Sequence, residues 1–124
     1  MHVLITETLF GDADRLATRL RETGCRVSRC HGTAGVCQAL APGGRCPLDG
    51  PEPVDLVVDV RTPLDELTAR EFGVICGIRA RVPAAAVSVT GIRPHLPPGL
   101  SGRVAATTEE ELIRACRDTA PART

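Results

Sequence analysis

The sequence predicts an α/β fold of three layers: a doubly wound parallel sheet of five strands with about four helices divided between its two faces. Three observations lead there. Short apolar runs alternate with stretches of helical periodicity along the whole chain. One run, Val54 to Val60, is apolar at every position except Asp55 and Asp59, as expected of a central strand covered on both faces. The core palette is aliphatic, with 43% apolar residues but only two Phe and no Trp or Tyr, which suits Val-rich strands under small-faced helices. Strand and helix in strict alternation require right-handed crossovers and hence parallel pairing. A chain of 124 residues has room for one core, so residues 1–124 read as a single domain.

Each element follows from local chemistry. Val3 to Thr6 is the first strand, and Gly11-Asp12 turns the chain into a helix over Asp12 to Thr23. Ala13, Leu16, Ala17 and Leu20 recur there at helical spacing and Gly24 supplies the stop. Cys25 to Cys30 alternates as strand two. Thr33 to Ala41 puts Val36, Ala39 and Leu40 on one face of a short second helix, ended by Pro42-Gly43-Gly44. Pro42 to Pro53 is too rich in Pro and Gly for regular structure, and a loop of about 12 residues is long for a compact domain. Val54 to Val60 is strand three.

Thr62-Pro63 then reads as an N-cap with Pro at the first helical position, followed by Asp65 and Glu66 at the positive end of the dipole. Phe72, Ile75, Cys76 and Arg79 share a stripe of this helix, with Leu67 and Ile78 beside it, until Pro83. Ala84 to Thr90 is strand four. Gly91 to Gly102 contains Pro94, Pro97 and Pro98, so the crossover between strands four and five is expected to be a loop instead of a helix. Arg103 to Thr107 is strand five. Thr108 and Glu111 form a capping box for a last helix with Leu112, Ile113 and Cys116 on one face, ended by Pro121.

Charge and termini narrow the function. Fifteen basic residues, all Arg, balance fifteen acids without a basic block, which argues against nucleic acid as a partner. The amino terminus carries no leader pattern, and no apolar run approaches the roughly 18 residues that span a bilayer. The expected location is cytoplasmic. Thiols are reduced there, so Cys25, Cys30, Cys37, Cys46, Cys76 and Cys116 are expected as core atoms or metal ligands instead of a disulfide framework.

Cys30, Cys37 and Cys46 are separated by six and eight residues, a spacing that matches no standard zinc pattern. Cys46-Pro47 is the kind of pair that closes some iron–sulfur runs. The fourth ligand would be Cys76 or His31. The competing reading is that free Cys acts as a small buried hydrophobe; it is favoured for Cys25, Cys76 and Cys116, which start a strand or lie on apolar stripes. His95 lies in a Pro-rich loop and reads as a surface residue. No glycine-rich nucleotide loop and no Ser-His-acid arrangement is discernible.

In doubly wound sheets, ligands bind beyond the carboxyl ends of the strands, where strand order reverses. The polar residues at those ends are Glu7, Asp59, Thr90 and Thr107 or Thr108. They read either as a site or as strand ends left at a solvated rim. Ile5-Thr6-Glu7-Thr8, the run Asp55 to Pro63 with its Asp59-Val60-Arg61-Thr62-Pro63, and Ser88-Val89-Thr90-Gly91 together resemble a response-regulator receiver domain, of flavodoxin-like fold, over the whole length. The resemblance implies strand order 2-1-3-4-5, Asp59 as phosphoryl acceptor, acids after strand one holding magnesium, Thr90 as the signalling residue, and a lysine after strand five to neutralise phosphate.

The chain departs from that pattern twice. It contains no lysine, for which the planar Arg fork is no equivalent. Glu7 is flanked by Thr6 and Thr8 where a second acid belongs, leaving only Glu7 and Asp59 to offer magnesium. The expectation is therefore a non-catalytic, receiver-like regulatory or protein-interaction domain that is not phosphorylated in the ordinary way. Its partner would be another protein or a second copy, met by the last helix, strand five and the Gly91 to Gly102 loop. The alternative is a redox or metal-sensing domain in which Cys30, Cys37 and Cys46 hold an iron–sulfur cluster or zinc, with magnesium a less suitable cofactor. A small enzyme using Glu7 and Asp59 has no nucleophile or cofactor motif behind it.

Overall fold

The apolar runs become the strands of one parallel sheet. The structure is a computed structural model that describes residues 1–31, 37, 44–64 and 66–119. Its elements are β1 (His2–Glu7), α1 (Asp14–Glu22), β2 (Arg26–Arg29), a 3₁₀ turn at Pro47–Asp49, β3 (Leu56–Arg61), a second 3₁₀ turn at Ala69–Glu71, α2 (Phe72–Arg79), β4 (Ala84–Ser88), β5 (Ala105–Ala106) and α3 (Glu109–Thr119). The strands lie in the order β2-β1-β3-β4-β5, all parallel. Val57, Val58 and Val60 of the central β3 are almost completely buried.

Strand alternation sends Val3, Ile5, Val58, Val60, Ala85 and Val87 to one face of the sheet. There they meet Ala13, Leu16, Ala17 and Leu20 of the α1 region and Leu112, Ile113 and Cys116 of α3. The opposite face, carrying Leu4, Val57 and Ala86, is covered by Val74 of α2, by Leu48 of the first 3₁₀ turn, and by Leu100 and Val104. Leu100, fully buried, is how the chain between β4 and β5 seals the sheet without a helix. Among the described residues, no helix is long and apolar enough to cross a membrane.

Four expectations change. The described residues contain three α-helices instead of about four, and the predicted second helix, Thr33 to Ala41, falls outside the described residues except for Cys37. The third helix does not start at Thr62-Pro63. The Thr62 N–H donates to Thr8 Oγ1 and its hydroxyl to Asp12 (3.1 and 2.6 Å), and Arg61 Nη2 donates to the carbonyls of Leu64 and Glu66. These bonds hold the chain in an irregular path, and a capping box between Thr68 and Glu71 starts the helical segment instead.

The buried side of α2 is also different. Gly73, Val74 and Gly77 face the sheet, whereas Phe72 and Cys76 are exposed. A Cβ on Gly73 would stand 2.5 Å from Cys30 Sγ and one on Gly77 2.5 Å from Val57 Cγ2, so this helix packs backbone against strand. Finally, Cys25 and Cys116 are joined by a disulfide with Cα atoms 6.4 Å apart, where reduced core thiols were expected.

Candidate functional site

Asp59 lies on β3 with its partner Thr6 opposite on β1, and both point to the α2 face. Two residues further, Arg61 points the same way, because side chains alternate along a strand. Glu71, the last residue of the second 3₁₀ turn, closes the group from above. All three charged side chains are buried, Asp59 and Glu71 at 0% exposure and Arg61 at 2%.

The hydrogen bonds form a connected set. Thr6 Oγ1 donates to Asp59 Oδ1 (2.8 Å), and Arg61 Nη1 pairs with Glu71 Oε2 and stands 3.7 Å from Asp59 Oδ2. Glu71 also accepts from Thr8 Oγ1 (3.2 Å) and from the Thr68 N–H (2.8 Å), while Thr68 Oγ1 donates to the carbonyl of Thr8 (2.7 Å). Asp59 Oδ2 is buried without a hydrogen-bond partner. Burial first, and then the Glu71 carboxylate, push the Asp59 pKa up to about 9 against the opposing pull of Thr6 and Arg61. A protonated Oδ2 can donate to Glu71, which supplies the missing bond and leaves one guanidinium facing one carboxylate. Two ionised carboxylates beside one cation would leave an uncompensated buried charge.

Chemically this is a closed neutral network instead of a metal pocket. Magnesium needs ionised oxygens and room for its waters, and Asp59 offers neither. Glu7 does not join it. It sits on the pleat opposite to Thr6, with Val3 and Ile5, and its Oε1 accepts the backbone N–H groups of Gly11 and Ala13 (3.2 and 3.0 Å). Glu7 thereby supplies the N-terminal carboxylate of α1, whose own N-cap, Ala13, has no side-chain bond. Thr90 is an exposed turn residue bonded to Ser88 Oγ (2.9 Å). Thr107 is buried beside Glu111, and Thr108 accepts the Glu111 N–H as a helix cap. The three switch-point residues predicted to share a pocket, Glu7, Asp59 and Thr90, are thus in three separate environments.

Arg61, Glu71, Thr6, Thr8 and Thr68 escaped the sequence reading. Two signals were present. Asp59 and Arg61 stand two apart in an apolar strand and must share a buried face, where a charge requires a partner; and Thr68-x-x-Glu71 has the form of a capping box ahead of an apolar stretch.

The cysteines separate into two sets. Cys25 and Cys116 are bonded on the α1 and α3 face. Cys30 (buried), Cys37 and Cys46 (half-buried) and Cys76 (exposed) are free. Burial pushes the Cys30 thiol up to about 12, and Cys46, Cys37 and Cys76 each add to that push, so all three lie within electrostatic reach of Cys30. His31 forms an isolated antiparallel bridge with Cys37; its Nδ1 is buried without a hydrogen-bond partner, and burial, then Arg70, lowers its pKa. Among the described residues, no three His, Cys, Asp or Glu side chains stand close enough to hold one metal ion. His2 is a satisfied buried histidine, bonded to Ser28 Oγ and the Pro53 carbonyl, and His95 is exposed, as its loop predicts.

A cavity of about 510 Å³ opens where the chain between β4 and β5 forms no helix. Arg61, Leu64, Ser88, Arg93 and His95 are among its lining residues; Asp59 is not. Compared with protein-family models, curated proteins and solved structures, the chain matches none.

Proposed function

We propose that the chain is a non-catalytic, receiver-like regulatory domain that works by contact with another protein or with a second copy of itself. The observation that carries this reading is the burial of Asp59 within a parallel sheet of order β2-β1-β3-β4-β5. The carboxyl stands at the position implied for a phosphoryl acceptor, yet it is sealed from solvent, bonded to Thr6 and neutralised through Glu71 and Arg61. The chain has no lysine, and Glu7 has no acidic neighbour after β1. In this reading Asp59 is a structural residue, and signalling passes through the surface.

The exposed apolar residues support the surface half of the reading. Among the described residues the large exposed apolar side chains are Leu9, Phe10, Leu64, Phe72 and Ile92. Leu9 and Phe10 follow β1, Leu64 follows β3, Phe72 opens α2 and Ile92 follows β4, and large apolar side chains left in solvent are available for contact with a partner. The balanced charge of the chain favours a protein over nucleic acid. A cytoplasmic location belongs to the same reading, and there the Cys25–Cys116 pair would be largely reduced.

The test is titration of the full chain with beryllofluoride and magnesium, followed by calorimetry and fluorine NMR, for wild type and Asp59→Asn. The expected result is no saturable binding by either. Saturable binding to wild type that Asp59→Asn abolishes would show an open, ionised acceptor and sink the proposal.

A further inference from the structure

The chain between β4 and β5 leaves a cavity of about 510 Å³ where a crossover helix would otherwise lie. It opens beyond the carboxyl ends of β3 and β4, the side on which doubly wound sheets bind ligands. Arg61 and Ser88, the last residues of those strands, both line it. Its walls are held in place. The Ser88 N–H donates to the Ile92 carbonyl (2.9 Å), the Glu109 N–H to that of Gly91 (2.9 Å) and the Leu100 N–H to that of Pro97 (2.9 Å), while the Leu100 side chain is fully buried. Pro94, Pro97 and Pro98 fix φ along the same segment. The cavity is therefore preformed, and its volume falls within the roughly 300 to 1,000 Å³ of small-molecule sites.

The lining has a consistent chemistry. Seven of its twelve residues are Pro, Leu or Ile, and the others are Arg61, Thr62, Ser88, Arg93 and His95. Hydrogen-bond donors are present, and no lining residue that the structure describes is Asp or Glu. Arg61 is already committed to Glu71 and to the Leu64 and Glu66 carbonyls, so it serves as wall. Arg93 keeps capacity. Its Nη1 donates to the Ala106 carbonyl and its Nη2 to Glu111, yet each nitrogen carries a second N–H, and an ion pair as exposed as this one is weak. His95, two residues on, is exposed as well. The planar guanidinium matches a carboxylate, and the Pro and Leu walls favour an apolar body. A stable protein contact would cover roughly 800 Å² on each partner, whereas Leu64 and Ile92 are the large exposed apolar side chains of this lining.

We propose that this cavity binds a small carboxylate with an apolar body, its head group held by Arg93 and His95 and its hydrocarbon laid against Leu64, Ile92, Leu96 and Pro97. Binding is non-covalent and needs no co-reactant. Asp59 does not line the site, so the ligand and the preceding reading stand or fall separately.

The experiment is titration of the full chain with naphthoate, read by calorimetry and by naphthoate fluorescence, which a protein without Trp or Tyr does not obscure. Octanoate is the competitor and naphthylmethylammonium the cationic control. Saturable binding of naphthoate, displacement by octanoate and at least about tenfold weaker binding of the cation are expected. The double variant Arg93→Gln, His95→Gln, at exposed positions and with folding checked by circular dichroism, weakens naphthoate by about tenfold or more. Leu64→Asp, which puts a negative charge into the lining, does the same. A folded wild-type chain that binds neither carboxylate, binds the cation equally well, or keeps its affinity in both variants overturns the proposal. So does self-association that Leu64→Asp abolishes in a chain that binds no probe, which would assign the cavity to protein contact.

Discussion

The two faces of the sheet are built on different principles. On the α1 and α3 face, Leu16, Leu20, Leu112 and Ile113 lie over Val3, Ile5, Val58 and Val87 in ordinary side-chain packing, closed by the Cys25–Cys116 bond. On the α2 face the helix approaches through Gly73 and Gly77, and the space beside it holds a buried Asp59, Arg61 and Glu71 and the free thiol of Cys30. The first face gains its stability from apolar area, which tolerates many sequences of similar volume. The second depends on specific partners, because a buried charge that loses its counterpart costs far more than the pair contributes. Specific chemistry is thereby concentrated on one side of a sheet whose other side is plain core.

The largest expected effect is on the α2 face. Arg61→Ala leaves Glu71 buried without its cation and should lower unfolding stability in urea by about 3 to 5 kcal/mol; a loss below 1 kcal/mol would mean that the network is not the stabilising element inferred above. On the other face, opening the Cys25–Cys116 bond with reductant, or by Cys25→Ser, releases a long chain loop and should cost about 2 to 4 kcal/mol. Identical urea midpoints for oxidised and reduced protein would remove the bond from the comparison.

Gly77→Ala tests the close approach of α2. The new methyl meets Val57 Cγ2 at 2.5 Å, and the strain should cost about 1 to 3 kcal/mol despite the better helix propensity of Ala. A stabilised variant would show that the helix can lift from the strand at no cost.

The last expected effect is a slope with pH. The Asp59 carboxyl has an ordinary value near 3.8 in an unfolded chain and about 9 when folded, so between these pH values the folded state holds the extra proton. The stability it confers is complete below the lower value and falls as pH rises towards the upper one, by at most about 1.4 kcal/mol per unit. Asp59→Asn keeps an oxygen for Thr6 and offers an amide N–H to Glu71 without titrating. Urea midpoints from pH 5 to pH 8 should therefore decline more steeply for wild type than for the variant, and parallel curves would mean that Asp59 is ionised when folded.

Asp59 and Glu7 illustrate how far the candidate site could be read in advance. Both were identified as strand-end acids, and both are where the strand pattern places them along the chain. Their pleats separate them, since Glu7 shares the face of Ile5 and Asp59 that of Thr6. The four cysteines fared differently. Spacing groups Cys30, Cys37 and Cys46, with Cys76 or His31 as the fourth ligand, and among the described residues no three of them stand close enough to hold one metal ion.

By itself the sequence determined the parallel alternation, the central place of Val54 to Val60, the periodic face of α1, the loop in place of a fourth crossover helix, and the absence of lysine from the strand-five end. These follow from local rules of period, proline and turn chemistry that need no distant partner. Only the tertiary structure decided that α2 would present its glycines to the sheet, that Arg61 and Glu71 would seal Asp59, and that Cys25 would find Cys116. Each of those outcomes depends on which residues the sheet register and the crossovers bring face to face, and such pairings are a property of the assembled layers and not of any single segment.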